Sequence, residues 1–143
     1  MKSFSEYAKR LLFVRLGALA TNILEAISGF GYNVVRKAAD YTLTADDSGK
    51  TFLATAAVNF TLPTPAKGLH YTIGQIADAN LAILSGGSAD NIIAKNDAGA
   101  DSVTFSTAGN KIGAYCHFVA VESAADTYKW AFFNWSDCTA TIA

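Results

Sequence analysis

The stretch from residue 41 to residue 62, YTLTADDSGKTFLATAAVNFTL, decides the fold class of this chain. Residues 41–44 and 51–53 are short runs of Thr, Leu and aromatic side chains on either side of a polar turn at residues 46–49. Residues 58–62 then alternate between apolar and polar side chains and stop at a proline. Short runs of strand-forming residues between polar turns are typical of β-structure, so this stretch predicts three strands.

The same pattern of short strands and turns continues to the C-terminus. The runs lie about ten residues apart and are rich in Thr, Val and aromatic residues, which is typical of all-β sandwiches and barrels. We expect residues 41–143 to form one domain of about ten strands, an antiparallel, jelly-roll-like β-sandwich or barrel. The further strand candidates are residues 70–73, 81–84, 91–93, 102–105, 114–121 and 127–135, separated by turns at 65–68, 86–87, 96–99 and 108–110.

The first 40 residues have a different composition and are interpreted as a separate N-terminal arm. They carry six Lys or Arg against three Asp or Glu, whereas the rest of the chain carries five against nine. Ser5 suits the N-cap of a helix, and Gly29 and Gly31 suit its C-terminal end. The spacing of the apolar residues between them predicts an amphipathic helix within residues 1–40. These apolar positions are Leu12, Leu16, Leu19, Ile23 and Ile27.

Two other interpretations of the arm stay open. The basic pair at residues 9–10, followed by apolar and then small residues, imitates a secretory signal, although Arg15 interrupts the apolar stretch. A membrane-spanning helix needs about 20 predominantly apolar residues, and both Arg15 and Glu25 fall inside the candidate. We favour a helix that is buried against its own domain or a partner, with binding to a membrane surface as the alternative.

The composition limits the possible functions. The chain has 143 residues, of which 51% are hydrophobic and 16% are charged, and its formal net charge is −1. Soluble domains have about 25% charged residues, so this surface is short of charge and part of it is expected to be covered by partners. The apolar content excludes a disordered chain, and the net charge excludes a nucleic-acid binder held by overall positive charge.

Two loop motifs imitate ligand sites without completing them. Residues 48–51, SGKT, copy the end of a phosphate-binding loop, but Thr44 stands where the first glycine of that motif belongs. Asp46 and Asp47 would also repel a phosphate, so we expect an ordinary turn. The acidic and amide side chains of the later loops supply oxygen ligands of the kind that Ca²⁺ prefers, yet solvated loop residues are the simpler interpretation. These side chains are Asp90, Asn91, Asn96, Asp97 and Asp101.

The two histidines and two cysteines do not predict a metal or catalytic site. A zinc site would need His70 and His117 to be joined by further ligands. Cys116 and His117 are neighbours on a predicted strand, so their side chains point to opposite faces and do not converge as a nucleophile pair. Reduced thiols at Cys116 and Cys138 are expected in a protein made in a cytoplasm, with a disulfide as the alternative. We expect no cofactor, no metal and no enzymatic activity.

The last strand candidate is apolar on both faces. Tyr128, Trp130 and Phe132 alternate on one face, and Phe133 and Trp135 lie on the other. Such a strand is either central to a sandwich or turned toward another subunit, and exposed Trp could also form a platform for a sugar. Aromatic residues are enriched at interfaces, so Trp130, Phe133 and Trp135 are candidates for a subunit interface.

One sequence block resembles a known class of proteins. The block consists of the run YTLTADDSGKTF at residues 41–52, FTLP at residues 60–63 and GLHYTI at residues 68–73. It is similar to a block that opens small β-domains in virion proteins of tailed bacteriophages, and residues 110–114 and 128–134 resemble the closing strands of that group. The similarity covers residues 40–136 and includes no catalytic signature.

The resemblance implies a structural role in the virion. Within that class, capsid decoration (cement) proteins stabilise the phage head by bridging subunits of the major capsid protein, and we expect this role here, with a homotrimer on the capsid surface. A domain of a tail fibre, head fibre or baseplate that binds a host glycan is the alternative. We expect neither nucleic acid nor a membrane as partner. The arm residues expected to contact the coat protein or another copy are Phe4, Tyr7, Arg10, Leu12, Arg15, Leu16, Leu19, Ile23 and Ile27.

Overall fold

The structure, a computed structural model, describes residues 15–19 and 33–143. The chain divides into two compact units, Met1–Asn33 and Val34–Ala143. In the first unit, residues 15–19 are helical and exposed. The rest of the predicted N-terminal helix lies outside the described residues. The second unit contains a strand that begins at Val34, ahead of the boundary at residue 41 that the sequence predicts.

The second unit is built almost wholly from β-strands. A short 3₁₀ turn, Ala45–Asp47, is the one helical turn that it contains among the described residues. The strands are β1 (Val34–Lys37), β2 (Tyr41–Thr42), β3 (Thr51–Ala54), β4 (Val58–Thr61), β5 (His70–Gln75), β6 (Leu81–Leu84), β7 (Ile92–Ala94), β8 (Asp97–Ala100), β9 (Ser102–Phe105), β10 (Tyr115–Ala124), β11 (Thr127–Asn134) and β12 (Thr141–Ile142).

The first six strands wind as three successive coils. The chain passes from one sheet to the other at each step, so β1, β3 and β5 are parallel neighbours in one sheet while β2, β4 and β6 are parallel neighbours in the other. The coils are in register, because Val35 pairs with Phe52, which pairs in turn with Ile73. Each coil therefore stacks its apolar side chains on those of the next, as in a short β-solenoid.

The later strands extend both sheets. An antiparallel hairpin of β10 and β11 continues the first sheet from β5, and β7 and β8 complete it as a seven-stranded sheet in the order β1-β3-β5-β10-β11-β7-β8. The strands β9 and β12 continue the second sheet from β6, giving five strands in the order β12-β9-β6-β4-β2. The long strands predicted at residues 114–121 and 127–135 are thus confirmed as the hairpin that follows the coils.

The two sheets share one hydrophobic core. Aromatic rings from opposite sheets meet inside it: the centroids of Phe52 and Phe60 lie 5.8 Å apart, and those of Phe105 and Phe132 lie 6.4 Å apart. Trp130 is fully buried in this core, and its indole Nε1 donates a hydrogen bond to the carbonyl oxygen of Pro63 at 3.0 Å. The protein is therefore mainly β and sandwich-like, as the sequence predicts.

The prediction of antiparallel sheets is wrong for half of the strand pairs. Five of the ten pairs are parallel, so both sheets are mixed and the jelly-roll connectivity is not followed. The sheets do not close into a barrel within the described residues, since β1 and β8 end one sheet and β12 and β2 end the other. Short turns that carry the chain across to the opposite sheet resemble hairpin turns in sequence, which is why the pattern suggested antiparallel neighbours.

Residues 96–99, expected as a turn, lie mostly in a strand. Lys95 and Asn96 both have positive φ, at 44° and 69°. Two consecutive residues of this kind form the type I′ turn of a tight hairpin. The turn therefore begins one residue earlier than predicted, and Asp97 starts β8.

Candidate interaction surface

The outer face of the seven-stranded sheet carries a row of side chains in register. Val34, Thr51, Thr72, His117 and Phe133 stand side by side on β1, β3, β5, β10 and β11. Their neighbours along each strand point into the core, so these five point away from it. Phe133 is 50% exposed.

A second row lies beside the first on the same face. It contains Arg36, Leu53, Gly74 and Tyr115 in register, and Trp135 follows because its backbone N–H donates to the carbonyl oxygen of Tyr115 at 2.9 Å. A Cβ atom at Gly74 would lie only 3.0 Å from Leu53 Cδ2 and 3.1 Å from Tyr115 Cδ2. The missing side chain at Gly74 lets its two neighbours close over the strand, which makes this part of the face continuous.

A third row lies on the other side of the first, ahead of the pair Val121 and Lys129, and we call the surface formed by these three rows the aromatic face. It consists of His70, Val119, Ala131 and Ile93 on β5, β10, β11 and β7. Among the fourteen residues of the three rows, Arg36 on the edge strand β1 is the one Lys or Arg, and there is no carboxylate. The rest are two histidines, Gly74, the buried threonines Thr51 and Thr72, and apolar or aromatic side chains.

Four side chains at the centre of the aromatic face hold one another in place. The imidazole of His117 stacks on the indole of Trp135, with centroids 4.7 Å apart and planes inclined by 7°. The His117 Nδ1 is 2.9 Å from Thr72 Oγ1, within hydrogen-bond distance. The ring of His70 lies 5.5 Å from that of His117, centroid to centroid. Burial, and secondarily the charge of His70, lowers the pKa of His117 below its ordinary value.

The structure separates the three aromatic candidates for a subunit interface. Trp130 lies in the core, so its side chain is not available to another subunit or to a sugar. Phe133 and Trp135 lie on the aromatic face, and Trp135 is 55% exposed although it stacks on His117. The division of this strand into two apolar faces is as the sequence predicts.

The outer face of the five-stranded sheet has a different chemistry. Its side chains are mostly hydroxyls and small residues, with Leu84 as the one large apolar side chain. They form two registered rows, Thr42, Thr61, Leu84 and Ser102, and Asn59, Ala82, Thr104 and Thr141. The large apolar and aromatic groups are therefore concentrated on one of the two outer faces.

Only three of the predicted contact residues of the arm are described. Arg15, Leu16 and Leu19 belong to the helical residues 15–19, and the two leucines are 50% and 54% exposed. The others lie outside the described residues: Phe4, Tyr7, Arg10, Leu12, Ile23 and Ile27.

The SGKT motif is part of a closed hydrogen-bonded turn. Asp47 is buried, and its carboxylate accepts hydrogen bonds from the hydroxyl of Tyr41, from the backbone N–H and hydroxyl of Thr44, and from the ammonium of Lys50 at 2.8 Å. Burial alone would raise the pKa of Asp47, but the hydrogen bonds from Lys50, Thr44 and Tyr41 outweigh it and leave the pKa below its usual value. Lys50 is thus engaged by a carboxylate, and the motif serves the fold rather than a phosphate.

The acidic loop residues also bond to the backbone. Asp101 accepts a hydrogen bond from the N–H of Asp90 at 2.6 Å, and Asp97 accepts one from the N–H of Gly99 at 2.8 Å. Within residues 15–19 and 33–143, no group of three or more His, Cys, Asp or Glu side chains is arranged to hold a metal ion.

Both cysteines are free thiols. Cys116 is fully buried on the inner face of β10, directly opposite the outward-pointing His117, as alternation along a strand predicts. Burial raises the pKa of the Cys116 thiol well above its ordinary value. Cys138 is partly exposed, and the disulfide considered from the sequence is not formed.

Comparisons of this chain with models of protein families, with curated protein sequences and with solved structures give no match. Within the part of the chain that is described, no helix is long and apolar enough to span a membrane.

The proximity of His70 and His117 was not predicted from the sequence. They are 47 positions apart, on strands that pair only because β10 adds to the third coil. His70 lies two positions from Thr72, and His117 lies two positions from Val119, so each pair can be assigned to one face of its own strand. What was missing is the pairing of those two strands, which spacing does not reveal.

Proposed function

We propose that this protein is a capsid decoration protein of a tailed bacteriophage. In this proposal it is a structural, non-catalytic protein, made in the host cytoplasm, that binds the virion surface as a homotrimer and bridges subunits of the major capsid protein. The assignment to phage virions rests on the resemblance of the strand-and-turn block at residues 41–73. The structural observation that supports it is the aromatic face.

The aromatic face has the chemistry of a surface that is covered in the working assembly. Phe133 and Trp135 are each about half exposed on a face that carries no carboxylate. Soluble monomers rarely leave contiguous apolar patches open, and such patches mark interaction sites. Burial of apolar surface contributes about 25 cal/mol per Å², so two aromatic side chains with their apolar neighbours supply a few kcal/mol per copy.

The basic arm supplies the second contact in this proposal. Leu16 and Leu19 expose apolar surface next to the positive charge of Arg15. We place the arm on the coat protein or on another copy in the trimer. Once one contact has formed, the other contact has a high effective concentration at its own site. The chain therefore binds the shell more tightly than through either contact alone.

Binding to undecorated phage heads tests the proposal. Purified full-length protein and a variant lacking residues 1–30 are mixed with heads that lack decoration, and bound protein is measured after sedimentation. We expect the full-length protein to bind in a fixed ratio to the coat subunits and the truncated variant to bind at least tenfold more weakly. Absence of binding by the full-length protein contradicts the proposal.

Trp135 favours one second candidate function, a fibre or baseplate domain that binds a host glycan. Its indole is 55% exposed and is held by the stacked ring of His117, which is how an aromatic platform for a sugar is kept in one orientation. Glycan binding that is lost in Trp135→Ala, combined with no binding to heads, would favour this candidate over capsid decoration.

A further inference from the structure

The only two histidines of the chain lie next to each other on the aromatic face. His70 begins β5 and His117 lies in β10, and the pairing of these strands sets the two residues diagonally across the ladder. The ring centroids are 5.5 Å apart and the ring planes are inclined by 50°. No carboxylate belongs to the three rows, so an ion pair with a residue of the aromatic face does not account for the proximity of the two imidazoles.

The separation of the rings matches that of two imidazole ligands on one metal ion. An ion about 2.0–2.1 Å from a ring nitrogen lies about 3.2 Å from the centroid of that ring, so a tetrahedral ligand angle places two such centroids about 5.3 Å apart. The observed value of 5.5 Å is close to this distance. The separation of the centroids is therefore compatible with both rings ligating one ion.

The surroundings of His117 orient its ring as a metal ligand requires. In the tautomer that carries the proton on Nδ1, this nitrogen donates to Thr72 Oγ1 at 2.9 Å, and the lone pair on Nε2 is left available. Histidine ligands in metal sites usually donate their second ring nitrogen to an oxygen in this way. The indole of Trp135, stacked nearly parallel to the imidazole with centroids 4.7 Å apart, restricts the ring further.

The charged groups around the two rings leave room for a cation. The charged group among the three rows is Arg36, on β1 at the edge of the sheet, separated from β10 by β3 and β5. Lys129 lies one registered pair beyond the third row, and its ammonium donates a hydrogen bond to the carbonyl oxygen of Ala98 at 2.6 Å.

We propose that His70 and His117 together bind one divalent transition-metal ion on the aromatic face. Imidazole nitrogens suit Zn²⁺, Ni²⁺ and Cu²⁺, whereas Ca²⁺ and Mg²⁺ prefer oxygen ligands. Water completes the coordination, since two protein ligands leave positions open. The site needs one chain only, so it does not depend on the proposed role in the virion.

The test is a titration of the full-length protein, purified without a histidine tag, with Zn²⁺ and Ni²⁺ by calorimetry. We expect one ion per chain, at least a 100-fold loss of affinity in His70→Gln and in His117→Gln, and no binding of Ca²⁺. The matched control is Cys138→Ser, which removes the partly exposed thiol and is expected to bind as the wild type does. Failure of the wild type to bind, or loss of binding in Cys138→Ser, overturns the proposal.

Thr72 is a positioning residue in this site, and its variants give a second readout. Thr72→Val keeps the shape of the side chain but removes the oxygen, and we expect about tenfold weaker binding, in the range found for such supporting partners. Thr72→Ser is expected to restore the affinity. Cu²⁺ bound beside Trp135 should quench tryptophan fluorescence in the wild type and not in His117→Gln. Equal quenching in both proteins, or equal affinity in all Thr72 variants, contradicts the assigned geometry.

Discussion

The carboxylate of Asp47 organises the turn between β2 and β3. It accepts hydrogen bonds from Tyr41, Thr44 and Lys50, and the ring of Tyr41 in turn stacks on Phe52 with centroids 5.6 Å apart. One acidic side chain thus connects the first coil, the 3₁₀ turn and the second coil. The sequence placed a turn here correctly, but it did not show which of the two adjacent aspartates is buried.

Replacement of Asp47 by Asn is expected to destabilise the protein by about 2 kcal/mol, because hydrogen bonds to a charged group contribute about 1.5–3 kcal/mol and the neutral amide removes the charge that pairs with Lys50. Urea unfolding measures the loss. Asp46→Asn is the matched control, since Asp46 is exposed on the same turn, and we expect a change within about 0.5 kcal/mol. Equal effects of the two substitutions would contradict the role given to Asp47.

The same carboxylate makes stability depend on pH in the acidic range. Its folded-state pKa lies below the unfolded value of about 3.9, so its stabilisation is present at neutral pH and is lost as the pH falls below about 4 toward the folded-state pKa. We expect the difference in unfolding free energy between wild type and Asp47→Asn to shrink over that interval. A difference that stays constant from pH 7 to pH 3 would contradict this assignment.

At the scale of elements, a buried glutamine joins successive coils. The side chain of Gln75, at the end of β5, donates to the carbonyl oxygens of Ala56 and Ala79 and accepts from the N–H of Ala77. Ala56 lies in the turn between β3 and β4, while Ala77 and Ala79 lie in the turn between β5 and β6. The two turns at this edge of the solenoid are therefore tied together by one side chain.

We expect Gln75→Leu to destabilise the protein by about 2–4 kcal/mol, because three partly buried backbone groups lose their partner and each unsatisfied group costs about 1–3 kcal/mol, not fully additively. Thermal and urea unfolding measure the change. Asn80→Ala, an exposed substitution in the turn between β5 and β6, serves as the control and should have little effect. A mild Gln75→Leu phenotype would show that water satisfies the turns.

The strands themselves were largely predictable, and their partners were not. The alternation in residues 58–62 and the aromatic residues of 127–135 reflect side chains that enter the core at every second position, which is a local property. Whether β3 has β5 or β4 as its neighbour depends on contacts between distant residues. For the same reason Phe133 and Trp135 were predicted as surface candidates from one strand, whereas the pairing of His70 with His117 required the whole sheet.

At the scale of the whole molecule, the two outer faces differ in what they can bind. One presents Phe133, Trp135 and the two histidines, and the other presents mainly Thr, Ser and Asn. An assembly that buries apolar surface would use the first and leave the second in water. Such a division explains how a chain with few charged residues keeps one hydrated face.

Substitution of one residue by glutamate on each outer face in turn shows which of the two faces forms the interface. We expect Phe133→Glu to dissociate the proposed homotrimer or to weaken it at least tenfold, because a carboxylate would be buried without a partner. Thr42→Glu places the same charge at an exposed position on the outer face of the five-stranded sheet and should leave the assembly unchanged. Light scattering after size-exclusion chromatography gives the mass of each species. Loss of assembly in Thr42→Glu alone would move the interface to the other face.

The winding of the first six strands also sets an order for folding. Each coil closes on the next over a loop of similar, modest length, and the entropy of closing a loop rises only slowly with its length. The β11–β7 pair and the β12–β9 pair join segments more distant along the chain, and both need β10 or β6 to be in place first. We therefore expect folding to proceed from the coils outward, with β12 docking only after β9 has paired with β6.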